Sequence, residues 1–224
     1  MIEIIPSLNC HFGDNECVAE KIREAEKFSD TAHLDVADGV FTFNKSWGDP
    51  KLWQKTKTKL ELEVHLMVEK PEKVVEEWLK AGVKKIIFHW ETVRDDPAHV
   101  VHRDTEKLIN FIVEECKKHE AEAVIAINPE TQIEELRPYF KTFVQFHILT
   151  VHPGVAGQKF LPLVLEKIKL LRRELPAARI SVDGGINLET GKLTKEAGVD
   201  ILISANYIFN SPNPKVAYEE LRKI

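Results

Sequence analysis

Short β-branched runs alternate with longer amphipathic segments along the whole chain. The first run, Ile2-Glu3-Ile4-Ile5, ends at Pro6-Ser7. Residues 16–28 place Val18, Ile22, Ala25 and Phe28 at helical spacing, which makes one apolar face. A second strand is expected over 31–36. Asp49-Pro50 marks the start of a short helix over 51–57, because Asp can cap and Pro suits the first turn. Further strands are expected over 60–67, 84–89, 123–127, 143–149, 179–182 and 199–204. The segments between them predict helices over 71–81 (closed by Gly82), 101–119, 131–138, 163–174, 187–197 (closed by Gly198) and 214–222. Eight strand-then-helix alternations with no linker predict one α/β domain over 1–224, a single (β/α)8 TIM barrel. A doubly wound open sheet also alternates. It usually has fewer strands and often a Gly-rich first turn, which is missing here.

In such a barrel the site lies where the strands end. His33 and Asp35 are two apart on one strand and share a face, and Asp38-Gly39 then turns the chain. Strand one ends at Ser7 and strand three at His65. Strand four offers His89 and Glu91, strand five Asn128, and strand six His152 with its Gly-containing loop. Strand seven offers Asp183, and strand eight Ser204 and Asn206. A lone H-x-D is most simply a solvated strand end. Two imidazoles and two carboxylates at the correct strand ends fit a divalent metal of the zinc, manganese, iron or cobalt kind, held without thiolate.

Composition narrows the partners. The chain is 43% hydrophobic and 30% charged with a net charge of −5, and no Lys/Arg cluster offers a nucleic-acid surface. Cys10, Cys17 and Cys116 are odd in number and lack C-x-x-C spacing. No disulfide framework is expected, which implies a reducing compartment. No apolar stretch approaches a membrane span and the start lacks a basic region followed by a long apolar run. A cytoplasmic protein is the expectation.

The ordered motifs resemble the ribulose-phosphate 3-epimerase family over nearly the whole chain. Pro6-Ser7 matches its opening Pro-Ser, and His33 through Gly39 its H-x-D-x-M-D-G, with Phe41 and Asn44 beyond. Val64-His65-Leu66-Met67 matches V-H-L-M, Phe88-His89-Trp90-Glu91 matches V-H-x-E, and Asn128-Pro129-Glu130-Thr131 matches N-P-x-T. Residues 153–158 match P-G-F-G-G-Q, and 182–185 match V-D-G-G. The resemblance implies that His33, Asp35, His65 and Asp183 hold one divalent metal ion. It makes Asp35 and Asp183 the paired acid and base on opposite faces of a sugar phosphate. Substrate contacts would come from Ser7, His65, Met67, Gly154, Val155, Ala156, Gly157, Gly184, Gly185, Ala205 and Asn206. The implied reaction interconverts ribulose 5-phosphate and xylulose 5-phosphate, and the family suggests a homo-oligomer.

The departures gather at the pocket. Ala37 and Leu149 stand where the family has methionines, leaving Met67 of three. The loop after strand one is a residue shorter, and His152 replaces the usual Asn or Glu. At the phosphate end Ala156 replaces a glycine, and Ala205-Asn206 replaces Gly-Ser. These changes leave open an epimerase of another ketose phosphate, such as a hexulose 6-phosphate. They also leave open a non-catalytic phosphate-ligand-binding barrel, although that would have no need of two carboxylates and two imidazoles at one mouth.

Overall fold

The computed structural model describes residues 2–95, 102–154 and 157–224. Its strands are β1 (Glu3–Pro6), β2 (Thr31–Ala37), β3 (Glu61–Met67), β4 (Lys85–His89), β5 (Glu122–Ile127), β6 (Gln145–Leu149), β7 (Arg179–Asp183) and β8 (Ile201–Ser204). They pair in parallel in the order β1-β8-β7-β6-β5-β4-β3-β2. The ring is nearly closed between β1 and β2, where Ser7 and His33 form a parallel bridge and Leu8 N donates to His33 O at 2.8 Å. A single (β/α)8 barrel is therefore the architecture. The sites at strand ends are brought to one mouth by this closure.

The helices are α1 (Asn15–Ala25), α2 (Pro50–Lys55), α3 (Val75–Lys80), α4 (Trp90–Val93), α5 (Thr105–Lys118), α6 (Val164–Glu174), α7 (Leu188–Ala197), α8 (Asn206–Phe209) and α9 (Pro214–Arg222). Local chemistry sets their ends. Asp49 caps α2 ahead of Pro50, and Asn187 caps α7 in a capping box with Thr190. The segment over 71–81 divides into a 3-10 turn, Pro71–Lys73, and α3. Ile133–Tyr139 is 3-10 as well, since Pro138 inside it has no N–H to give to an α-helical ladder. The helix expected over 101–119 begins at Thr105, capped by Asp104. Residue 101 lies outside the described residues.

The core divides by strand face. Outward residues such as Leu34, Val64, Phe88 and Ile148 pack under the helices in one large apolar layer. Inside the barrel only two small apolar clusters appear among the described residues, Ile5/Ile201/Ile203 and Ile87/Val124/Ala126. Apart from Ala37, Met67 and Leu149 at the mouth, the rest of the described interior is polar and buried, with His33, Glu63, His65, His89, Gln145, His147 and Ser181. Barrels of this kind usually fill that space with Val, Ile and Leu.

One expectation is overturned. Cys10 and Cys17 are joined in a disulfide, with their Cα atoms 6.1 Å apart, and Cys116 is free and buried. Counting cysteines missed the bridge because it links an irregular loop to the first turn of α1, a proximity that only the fold creates. The absence of disulfides can no longer argue for a reducing compartment. No helix among the described residues is long and apolar enough to cross a membrane.

Candidate active site

β2 and β3 run in register with His33 beside Glu63 and Asp35 beside His65. The period-two alternation points all four side chains into the barrel. Asp35 is the hub. Its Oδ1 lies 3.1 Å from His33 Nε2 and 2.7 Å from His65 Nδ1. Its Oδ2 accepts from Asn9 Nδ2, and its backbone N donates to Asn9 Oδ1 at 3.1 Å. Asp183 ends β7, its carbonyl held at 2.8 Å by both the N–H and the hydroxyl of Thr150. One ligand atom from each of His33, Asp35, His65 and Asp183 lies within 4.8 Å of the others.

The two carboxyls sit in different electrostatic surroundings. Burial works to raise Asp35, but the charge and hydrogen bond of His33, and then His65, overcome it and hold the carboxyl well below 3.8. Asp183 has no such imidazole bonded to it among the described residues. Burial first, then the Asp35 charge, pushes it up to about 7. Near neutral pH the metal-free chain thus keeps Asp35 charged while Asp183 can carry a proton.

Outer partners orient the imidazoles. His33 Nδ1 donates to Glu63 Oε1 at 2.7 Å, leaving Nε2 toward Asp35. Glu63 Oε2 faces Lys85 Nζ at 3.2 Å. Lys85 donates to Gln145 Oε1 at 3.1 Å, Gln145 donates to Ser181 Oγ at 3.1 Å, and Ser181 Oγ meets His147 Nδ1 at 2.9 Å. Nε2 of His147 and Oγ of Ser7 are buried without a partner among the described residues. Asn9, Glu63, Lys85 and His147 were not anticipated from sequence. A period-two signal was present for three of them: Glu63 precedes His65 by two, Lys85 precedes His89 by four, and His147 precedes Leu149 by two. Asn9 lies in irregular chain and offered no such signal.

Above the hub lies a cavity of about 520 Å³. Asp35 and Asp183 face it, as do Met67, Gly154, Gly157, Gly184, Gly185, Ala205 and Asn206 from the expected substrate set. Met67 and Leu149 form apolar parts of its wall, while Ala37 is buried beside Met67 in the strand pairing. Ser7, His33 and His65 are fully buried beneath. Val155 and Ala156 lie outside the described residues. Gly184 and Gly185 have φ of +114° and +65°. A Cβ on Gly185 would stand 2.8 Å from Phe160 N, so close packing requires glycine.

The model of the ribulose-phosphate 3-epimerase family matches residues 3–209. The chain belongs to this family. It is accordingly an epimerase, an isomerase-class protein acting on carbohydrate phosphates. The ribulose-phosphate 3-epimerase of Chlamydia trachomatis is 33% identical over 204 residues, covering 88% of this chain and 82% of its own. That of Bacillus subtilis is 32% identical over 230 residues, covering 99% of each. Among solved structures, a 3-hexulose-6-phosphate synthase superposes with a TM-score of 0.66 at 14% identity, covering 99% of both chains. A KGPDC from Streptococcus mutans gives 0.67 at 10%, covering 100% of this chain and 97% of its own. At such identities these two speak for the shared barrel alone. Membership in the epimerase family is carried by sequence.

The donor set suits the metal that this family implies. Two imidazoles and two carboxylates converge on one spot, no cysteine joins the cluster among the described residues, and Glu63 already orients His33 from outside.

Proposed function

We propose that the chain interconverts D-ribulose 5-phosphate and D-xylulose 5-phosphate with a divalent metal held by His33, Asp35, His65 and Asp183. The observation that carries this reading is geometric: Asp35 and Asp183 face one cavity, and their carboxylates converge with His33 and His65 so that one ligand atom from each lies within 4.8 Å of the others. Inverting a carbon beside a ketone needs one base and one acid together, on opposite faces of the substrate. Asp35 takes the C3 proton, and the C–H electron pair moves toward the C2 carbonyl to give an enediolate. Asp183 returns a proton to the other face of C3. The reverse direction exchanges the roles. A divalent cation in this site supplies Lewis-acid stabilisation of the charge that develops on the substrate oxygens.

Asn9 keeps Asp35 aimed through its two hydrogen bonds. Ser7 Oγ, buried and unpartnered, is an available donor at the base of the site. Met67 and Leu149 keep the reacting carbon against an apolar wall. The phosphate belongs at the Gly154, Gly157, Gly184, Gly185, Ala205 and Asn206 side of the cavity, where small residues allow close approach of the backbone. A cytoplasmic location accords with the rice relative named as a cytoplasmic isoform, 32% identical over 209 residues.

The test is a panel of ketose 5-phosphates and 6-phosphates assayed with zinc, manganese, iron and cobalt in turn. Highest kcat/KM for ribulose 5-phosphate is expected. A preference for a 6-phosphate would assign another ketose, and no turnover on any member would reject the proposal.

A further inference from the structure

Behind His65 lies a second hydrogen-bonded chain that leads away from the cavity. His65 Nε2 is 2.8 Å from His89 Nε2, and His89 Nδ1 is 3.0 Å from Glu91 Oε2. The other carboxylate oxygen of Glu91 accepts from Asn128 N at 2.9 Å and from the Thr131 hydroxyl. Both histidines are fully buried, and their rings stack with centroids 4.9 Å apart. We propose that Glu91 is a positioning residue which, through His89, selects the tautomer of His65 whose Nδ1 is free to hold a divalent cation. This inference rests on the metal-dependent reading above.

The logic is one of donors and acceptors. Burial opposes ionisation of Glu91, but the hydrogen bond and charge of His89, joined by Thr131 and Asn128, hold it down at about 2. An ionised carboxylate only accepts. His89 must therefore carry hydrogen on Nδ1. Its Nε2 is then the atom left to accept across the 2.8 Å contact, and the only hydrogen His65 can offer it is on Nε2. In the metal-free chain Nδ1 of His65 gives a hydrogen to Asp35 Oδ1 at 2.7 Å; when a cation takes that hydrogen's place, the Nε2 hydrogen held toward His89 leaves the lone pair of His65 on Nδ1. Glu63 does for His33 in one step what Glu91 does for His65 in two. Short α4 makes the second arrangement possible by turning Glu91 toward the segment that follows β5.

Glu91→Gln tests this with almost no change of shape. The backbone N–H of Asn128 can only donate, so it retains the amide oxygen on its own side and turns the NH2 toward His89. The chain of hydrogens then reverses, and His65 presents N–H to the cation. Zinc affinity, measured by competition with a chromophoric chelator, should fall about tenfold or more. In the 15N spectrum of zinc-loaded wild type His89 should carry its hydrogen on Nδ1, moving to Nε2 in Glu91→Gln. His89→Phe, which removes the acceptor altogether, should also weaken zinc, and combining it with Glu91→Gln should add little further loss because the two act in series. This second variant keeps the test alive if the first fails to fold. Unchanged zinc affinity in a folded variant, additive losses, or wild-type His89 protonated at Nε2 would overturn the inference and leave the metal site standing. Wild-type protein that binds no divalent cation would overturn both.

Discussion

Replacing Asp183 by Asn probes the carboxyl that the cavity makes hardest to ionise. Burial, then the Asp35 charge, raises it from 3.8 to about 7 in the metal-free chain. A raised acid holds in the folded state a proton that the unfolded chain has already released. Native stability contributed by this group therefore falls as pH climbs between those two values, and above the upper one the loss is complete. Each pH step of one is worth about 1.36 kcal/mol, which sets a ceiling on the order of 4 kcal/mol. Asp183 is half-buried at the cavity wall, and water there screens the charge, so about 1–2 kcal/mol is the working magnitude. Asn has nearly the same size and cannot ionise. Metal-free Asp183→Asn should thus be more stable than wild type at about pH 8 and the advantage should shrink toward about pH 4.5, while epimerisation is lost. The assay is urea unfolding of both proteins across that range with chelator present and ionic strength fixed. A stability difference that does not vary with pH, or a variant no more stable at about pH 8, would refute the reasoning.

Other perturbations test separate parts. Stripping the protein with a chelator should abolish turnover, and adding back one divalent cation should restore it; activity surviving in rigorously metal-free protein would remove the metal from the account. Gly185→Ala forces a side chain into left-handed backbone 2.8 Å from Phe160 N, and should cost about 2–4 kcal/mol in unfolding free energy. An unchanged melting temperature would contradict that geometry. Reduction of the Cys10–Cys17 bridge should cost about 2–3 kcal/mol by chain-entropy reasoning, seen as a lowered melting temperature that Cys10→Ser/Cys17→Ser reproduces without reductant. Three free thiols rather than one in untreated protein, counted after unfolding, would disprove the bridge.

The barrel was legible because its signals are local. Period-two strands and amphipathic helices follow from which side each residue buries, and Asp49-Pro50 and Gly198 start or end helices by their own backbone preferences. His33, Asp35, His65 and Asp183 could be brought to one mouth because strand ends in a closed barrel must meet. What stayed hidden depends on pairing between distant strands. Glu63 and Lys85 look like surface charges in a chain that is 30% charged. Only the register of β3 against β2 and β4 puts them under His33, where each compensates the other's burial. Lone α4 and α8 are single turns, too short to show a period. The Cys10–Cys17 bridge depends on the path of the loop after β1, which no periodic signal constrains.

Epimerisation by this chain turns on proton transfer at C3 between two aspartates of one cavity. The most direct measurement is NMR of D-ribulose 5-phosphate incubated with metal-loaded protein in deuterated water. Deuterium should appear at C3 together with xylulose 5-phosphate, and Asp183→Asn should form no epimer. Failure of C3 to exchange in either sugar, with active metal present, would contradict this proton transfer.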